Sequence, residues 1–285
     1  MKTVVITGAS TGIGRATAEH LATKGWQVFA GIRKAADGEA LVAAESRIIP
    51  ILLDVTQPDQ VDAAVETVRA ALEGQKLAGL VNNAGIANMG PLALQPMDQF
   101  EAHFSVNVFG LLRASQAFAP LLGMDESLTG APGRIVNITS VGGRLSAPFL
   151  GAYTATKHAV ESMTDSLRRE LVLFGIDAIA VGPGAVKTPI WDKAEDANSS
   201  NPYANSPWAE PIEKFSETML EGGRTGLDAN VIAQTIETAL TARKPKARYA
   251  PVPDKLTNFT LPMLLPKRTV DGVFWKRFGM TRKRA

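Results

Sequence analysis

The chain has no cysteine among its 285 residues. Disulfides, thiolate nucleophiles and thiolate-bound metals are therefore excluded. Histidine is almost as scarce, with only His20, His103 and His158. None has a carboxylate or a second histidine at a metal-like spacing, so no metal site is expected. Long apolar runs are missing, and no stretch reaches the ~18 residues that a membrane-spanning helix needs. Met1-Lys2 leads straight into an apolar segment without a signal-peptide pattern, so a soluble, cytoplasmic protein is expected. A strong net charge is also missing, at +2, but the balance is uneven. Lys255–Ala285 holds eight Lys/Arg and one acid, Asp271, and so carries +7, which leaves −5 for residues 1–254. A uniformly basic nucleic-acid binder does not look like this, and no nucleic-acid partner is expected.

What is present is an alternation of strands and helices over a chain that is 45% apolar. Short apolar runs suited to buried parallel strands fall at 3–7, 27–32, 48–55, 77–82, 134–139 and 177–181. Between them, apolar residues recur at helical spacing: Ile13, Ala16, Thr17, His20 and Leu21, then Val61, Ala64, Val65, Val68 and Leu72. Further helices are expected from about Met97 to Leu121 and from Tyr153 to Leu173. This rhythm predicts an α/β fold, a Rossmann-type doubly wound parallel sheet with right-handed crossovers. Residues 33–47 read as a loop. From Pro189 to Pro211 the pattern dissolves into Asn, Ser and Pro, and a loop of that length usually serves as a lid or a binding segment. A helix pair and a short strand, 248–252, complete the body. The expected organisation is one dinucleotide-binding domain, 1–254, with a substrate loop at about 189–226, and a basic, apolar extension, 255–285.

Three stretches carry chemistry. The first is Thr7-Gly-Ala-Ser-Thr-Gly-Ile-Gly14, between the first strand and the first helix. Gly8 and Gly12 permit a tight turn and close approach of backbone N–H groups to a pyrophosphate. Gly14 permits close packing of helix on strand, and the helix N-terminus offers free N–H groups and a positive dipole end. The spacing is Gly-x-x-x-Gly-x-Gly, not the commoner Gly-x-Gly-x-x-Gly. After the second strand, a carboxylate would hold an adenosine ribose and favour NAD(H). Gly31 stands where that acid is expected, and Arg33 and Lys34 follow. A guanidinium forks onto a phosphate, so NADP(H) is preferred, with NAD(H) the alternative. Asp37 and Glu39 lie too far along to hold the ribose.

The other two stretches are Asn82-Asn-Ala-Gly85 and Tyr153-Thr-Ala-Thr-Lys157, with Ser140 upstream at the end of the fifth strand. Tyr153 and Lys157 are i and i+4 and share a helix face. An ammonium there, and a positively charged oxidised nicotinamide, are expected to favour phenolate and lower the phenol from its ordinary ~10. Ser140 can donate a hydrogen bond to a substrate oxygen as charge develops on it.

Taken together, Thr7–Gly14, Asn82–Gly85, Ser140, Tyr153, Lys157 and Pro183-Gly184 resemble the short-chain dehydrogenase/reductase family in order and spacing, over about residues 1–190. The resemblance implies a seven-stranded parallel sheet with three helices on each face. It implies a catalytic set of Asn107, Ser140, Tyr153 and Lys157. In that likeness Lys157 also grips the nicotinamide ribose and Asn107 holds a proton-relaying water. Cofactor contacts are implied for Gly8, Ser10, Thr11, Gly12, Ile13 and Gly14, for Arg33, and for Asp54 and Val55 at the adenine. They are also implied for Asn83, Ala84 and Gly85, for Pro183 and Gly184, and for Val186 and Thr188 at the carboxamide. On the residues alone, Asn107 as a backbone bridge and Asp54 as a turn acid stay open. Thr11 departs from the Lys or Arg that many NADP-using members carry in the glycine loop. Arg33 is then expected to act with the Ser10 and Thr11 hydroxyls.

Ile86-Ala87, Leu145–Leu150 and Ile190-Trp191 flank the site, and Trp208, Phe215 and Met219 follow. They suit a lipophilic ketone or secondary alcohol, unless they are plain core. No arginine pair stands ready for an anionic substrate, with Arg144 the one candidate. The Val28-Phe-Ala-Gly-Ile-Arg33 turn and the C-terminal extension look like the hydroxysteroid and retinol dehydrogenases of the family. A homodimer or homotetramer is expected. An NADP-binding regulator without turnover and a redox-neutral lyase or epimerase are the competing classes. In the extension, Val270, Val273, Phe274 and Phe278 recur at helical spacing among basic residues. That face either covers the cleft or a partner subunit, or lies on an anionic membrane.

Overall fold

The apolar runs become strands because every other side chain has a helix layer to bury against. A computed structural model describes residues 1–188 and 202–281. Val4 and Ile6 of β1 (Thr3–Ile6) face one layer, and Val5 faces the other. The remaining strands are β2 (Gln27–Ile32), β3 (Ile48–Leu52), β4 (Gly79–Asn82), β5 (Arg134–Ile138), β6 (Asp177–Val181) and β7 (Arg248–Tyr249). They form one parallel seven-stranded sheet in the order β3-β2-β1-β4-β5-β6-β7. The order reverses between β1 and β4, and such a reversal opens a crevice at the carboxyl ends of the strands.

One face is covered by α1 (Gly12–Thr23), by α2 (Ala36–Ala44) and, later in the chain, by a helix at Ala229–Thr241. The other carries α3 (Pro58–Leu72), α4 (Met97–Phe104) running into α5 (Leu111–Ala119), and α6 (Gly151–Glu170). Helix α7 (Ala209–Thr225) precedes the helix at Ala229–Thr241, now α8, and α9 (Lys267–Phe278) ends the described chain. Phe149, Tyr203, Ile212, Phe215 and Phe278 form a separate cluster, away from both sheet layers.

Four expectations need correction. The stretch read as a loop at 33–47 contains α2, whose Ala-rich sequence buries only Gly38 and Leu41 and so shows no stripe. The long helix from Met97 is not uniform. A wide π-type turn spans Ser105–Gly110, and a second at Pro120–Met124 is broken at Gly123, where φ is 158°. The last strand stops at Tyr249, because Pro251 and Pro253 have no N–H for a ladder. The expected substrate loop is largely α7 at its C-terminal end, while residues 189–201 lie outside the described residues.

Candidate active site

The glycine loop is held in place by its neighbours. Thr7 Oγ1 accepts from the backbone N–H groups of Asn83 and Ala84, both at 3.0 Å. Asn83 Nδ2 donates back to the carbonyls of Thr7 (3.0 Å) and Gly8 (2.8 Å). Gly8 sits at φ +64°, and a Cβ there would lie 2.8 Å from Ala84 Cα, so only glycine fits. Helix α1 starts after Thr11 with no side-chain cap and no acid in its first turn. Its first N–H groups and dipole end are therefore open to an anion.

A cavity of about 660 Å³ runs from this loop across the carboxyl ends of the strands. Ser10, Thr11, Gly12 and Ile13 form one end, with Arg33 beside them. Arg33 is exposed and makes no hydrogen bond or ion pair among the described residues. Gly31 could not carry an acid unaided, since its Cβ would meet Leu53 Cδ2 at 2.9 Å and the Ile6 carbonyl at 3.1 Å. Asp37 and Glu39 sit in the first turn of α2, off the cavity wall. Asp54 and Val55 line the wall, and Asp54 Oδ1 accepts from Thr56 N–H (2.9 Å) and Oγ1 (2.7 Å). Asp54 is thus a turn acid on the cavity wall, with Oδ2 still available. Ala84, Gly85, Pro183, Gly184, Val186 and Thr188 complete this part of the wall.

At the far end stand Ser140, Tyr153 and Lys157. Ser140 is in extended conformation at the start of a short turn, and its Oγ accepts from Gly142 N–H at 3.0 Å. The hydroxyl proton remains for donation, and Ser140 turns it toward the Tyr153 oxygen, a contact that lowers the phenol pKa. Lys157 is buried, donates to the Ile138 carbonyl at 2.8 Å and lies 5.6 Å from the Tyr153 ring centre. Burial pulls its pKa down to about 8, and the Glu161 charge resists that fall. The expectation for Tyr153 does not hold in this structure. Burial of its hydroxyl raises its pKa, against the smaller pull of Ser140, although part of its ring faces the cavity. The lysine sits to one side, anchored to Ile138, and its charge does not offset the burial.

Asn107 and Gly14 are buried and off the wall. Asn107 occupies the π-type turn and bridges backbone. Its Oδ1 accepts from Ile86 N–H (2.8 Å), and its Nδ2 donates to the Ile86 carbonyl and to Thr156 Oγ1, both at 3.0 Å. Both amide hydrogens are used, and one lone pair of Oδ1 remains. A buried ladder escaped the sequence reading. Asn82 Nδ2 donates to Ser115 Oγ and Asn137 Oδ1, and Asn137 Nδ2 donates to Thr164 Oγ1, each at 2.9 Å. It locks β4 and β5 to α5 and α6. The only sequence signal was two asparagines inside otherwise apolar strands.

The rest of the wall is apolar. Ile86, Ala87, Met89, Leu145, Ala147 and Leu150 line it, with Met219 of α7 and Phe274 of α9. Trp208 and Phe215 pack behind, and Ile190-Trp191 lie outside the described residues. Arg144 is bound to Glu161 at 3.1 Å and is off the wall. The C-terminal helix therefore turns Phe274 and the buried Phe278 inward, while Val273, expected on the same face, is 58% exposed. No metal-capable cluster of His, Cys, Asp or Glu, and no helix long and apolar enough to cross a membrane, occurs among the described residues.

Comparison with known proteins agrees with this geometry. A family model described as short chain dehydrogenase matches residues 2–199. The chain is 35% identical to an NADPH-dependent 3-dehydrocapnine reductase of Ornithobacterium rhinotracheale, over 97% of each chain. It is 36% identical to retinol dehydrogenase 5 of Mus musculus, over 95% of this chain and 86% of that one. A crystal structure of a short-chain dehydrogenase from Streptomyces avermitilis superposes with a TM-score of 0.76 at 28% identity, covering 98% of this chain and 97% of that one. With the sheet order, the glycine loop and the Ser140–Tyr153–Lys157 cluster already in place, the conclusion is that this chain belongs to the short-chain dehydrogenase/reductase family of oxidoreductases.

Proposed function

We propose that the protein is an NADP(H)-dependent oxidoreductase that interconverts a lipophilic ketone and its secondary alcohol, of hydroxysteroid, retinoid or aryl ketone type. The observation that carries this reading is the single continuous cavity. It joins an anion-ready helix N-terminus to a Tyr–Lys–Ser cluster and ends among apolar side chains. The cradle fits a dinucleotide, since Gly8 and Gly12 hold the loop at positive φ with bare backbone on the cavity wall and no acid opposes phosphates in the first turn of α1. Gly8 to Ile13 would take the pyrophosphate, Arg33 with Ser10 and Thr11 the 2′-phosphate, and Asp54 and Val55 the adenine side. Asn83 to Gly85, Pro183, Gly184, Val186 and Thr188 would wall the nicotinamide side. When bound, the nicotinamide supplies or accepts the hydride.

The chain's own residues handle the proton. Tyr153 gives its phenolic proton to the substrate oxygen in reduction and removes the alcohol proton in oxidation. Its raised pKa keeps it protonated at neutral pH, which suits the reductive direction. Ser140 can turn its hydroxyl proton from Tyr153 to the same oxygen as negative charge grows there. Lys157 keeps two N–H groups beyond its bond to Ile138, available to the ribose hydroxyls and to the phenol. Asn107 holds the Ile86 wall, and its remaining Oδ1 lone pair is the side-chain position for a relay water.

The relatives lend weight to the assignment: one is named as NADPH-dependent and another as a retinol dehydrogenase. We place the protein in the cytoplasm as a homodimer or homotetramer. The outer surface of the extension suits peripheral contact with anionic lipid, because Leu256, Leu261, Met263 and Leu264 are 42–78% exposed. Lys255, Lys267 and Arg268 flank them. Sedimentation with anionic vesicles at low and high salt tests that contact, and light scattering tests the assembly. The activity is tested with all-trans-retinal, androstenedione and acetophenone against NADPH and NADH. Tyr153→Phe should keep the fold and NADPH binding but lose at least ~10²-fold in turnover. Near-normal turnover in that variant rejects the assignment.

A further inference from the structure

One turn beyond Lys157, Glu161 is a nearly buried carboxylate that supports the lysine charge but lies off the cavity wall. Its two oxygens lie 2.9 and 3.0 Å from Nε of Arg248, and Oε2 also takes Arg144 Nε at 3.1 Å. Arg144 is 43% exposed, but Arg248 is only 17% exposed. From β7, Arg248 crosses to the Ser140 turn and donates Nη2 to the Ser140 backbone carbonyl at 3.2 Å. Its guanidinium stacks on the Phe259 ring, 5.0 Å from the ring centre. The crossing needs an open path. A Cβ on Gly182 would lie 2.2 Å from Arg248 Nη2, so glycine there lets the guanidinium pass. A Cβ on Gly143 would lie 2.9 Å from Glu161 Cγ, so the Ser140 turn closes directly onto the carboxylate. The turn's other tether is Val141 N–H to the Pro183 carbonyl at 2.9 Å.

We propose that Arg248 is a positioning residue for the reaction: clamped by Glu161 and stacked on Phe259, it fixes the Ser140 carbonyl and so holds the Ser140 hydroxyl against Tyr153. This rests on the acid–base reading above. Within the turn, Gly142 N–H binds Ser140 Oγ and Gly143 N–H binds the Ser140 carbonyl, both at 3.0 Å, so the turn moves as a unit and its tethers to the body decide where Ser140 Oγ points. A planar fork can reach a carboxylate and a carbonyl together, whereas a lysine ammonium at the same place is a single point charge. A misplacement of about 1 Å in a reacting constellation costs on the order of 10²-fold. The same contact makes the C-terminal segment, through Phe259, part of what sets the catalytic geometry rather than only a cover for the substrate.

The test compares full-length Arg248→Lys, Arg248→Ala and Tyr153→Phe. Turnover is measured with whichever of retinal, androstenedione or acetophenone the native enzyme reduces fastest. NADPH affinity and melting temperature are measured alongside. Arg248→Lys should lower kcat about tenfold and leave NADPH affinity within twofold. Arg248→Ala should lose more and regain turnover in millimolar guanidinium, which a merely unfolded variant would not do. The chain has three tyrosines, so the ¹³Cζ resonance of Tyr153 is assigned directly by Tyr153→Phe. That resonance senses the Ser140 bond and should move in Arg248→Lys, with or without substrate. An unmoved resonance together with kcat within twofold overturns the proposal. So does a kcat loss that tracks equal losses in NADPH affinity and melting temperature. Full activity in Tyr153→Phe instead rejects the acid–base reading, while the resonance still reports whether Arg248 places Ser140.

Discussion

Replacing Gly14 by alanine sets two effects of opposite sign against each other. Alanine is the better helix former by up to ~1 kcal/mol. At Gly14, however, the new methyl would lie 2.3 Å from the Gly8 carbonyl oxygen and 2.4 Å from Asn83 Nδ2. Comfortable contact needs roughly 3.5 Å, so those atoms must retreat by about 1 Å. They are the atoms that staple the glycine loop, since Asn83 Nδ2 holds the carbonyls of Thr7 and Gly8. Two hydrogen bonds at ~0.5–1.5 kcal/mol each, plus ~1–3 kcal/mol for overpacking, outweigh the helix gain. The net loss is ~1–5 kcal/mol. At ~2–4 °C per kcal/mol, a mid-range loss lowers the melting temperature by about 6–12 °C. NADPH affinity should fall at least tenfold, because the displaced carbonyls shape the cradle. Gly272 supplies the control, being inside α9 with nothing within 4 Å of its would-be Cβ. Gly272→Ala should stabilise by ~0.5–1 kcal/mol. Scanning calorimetry and NADPH titration on both variants decide the matter. Native-like melting and binding in Gly14→Ala, or equal losses in the two variants, would refute the reasoning.

Arg33→Ala should leave the melting temperature unchanged, because Arg33 has no partner among the described residues, and should weaken NADPH binding about ten- to a hundredfold, ~1.5–3 kcal/mol for a charge-assisted contact. NADH binding measured in parallel should hardly change, and equal losses would deny Arg33 its 2′-phosphate. For pH, Lys157 is charged below its pKa of about 8 and neutral above it, so reductive turnover should fall as pH rises through that value. Glu161 supports the charge, so a pH–rate profile of Glu161→Gln should show the fall at lower pH. The unfolded lysine keeps its proton to about 10.5, so unfolding takes up a proton between about 8 and 10.5, and stability from this group rises with pH across that window. Lys157→Met should abolish that slope in denaturant titrations at several pH values. Phe278→Ala removes a buried ring packed on Phe215 and Phe274, and the ~3–5 kcal/mol typical of such a loss should free α9. Limited proteolysis should then cut near α9 at once, and substrate KM should rise. Unchanged protection would mean that the extension is held elsewhere.

Much of this was legible in the sequence because the signals were periodic or sterically unique. Strand runs such as Gln27–Ile32 and Asp177–Val181 matched the structure residue for residue, since an apolar run bounded by glycine or a turn has few alternatives in a two-layer fold. The glycine loop and the Tyr153–Lys157 pair were visible because their spacing fixes their geometry. What escaped depended on partners distant in the chain. Helix α2 shows no stripe because it buries little. The Asn82–Asn137–Thr164 ladder and the Arg248–Glu161 clamp join strands and helices far apart in sequence, and nothing local marks them. The Tyr153 pKa ran opposite to expectation, because helical spacing reports that Lys157 is near but not that burial outweighs it.

From β4 onward, strand order in the sheet follows chain order, with β5, β6 and β7 each laid outside the last. During synthesis the half-sheet that carries the glycine loop is complete by Asn82, before the helix carrying Tyr153 has been made. Each later strand then briefly presents an unpaired edge, the template on which chains stick to one another. The two-residue β7 covers β6 and leaves only a short edge of its own, and it also carries Arg248. A ribosome that stalls between β6 and β7 would leave a chain with its glycine loop built and its sheet edge bare. Aggregation of such fragments, rather than simple loss of activity, is therefore the expected cost of premature termination in this region.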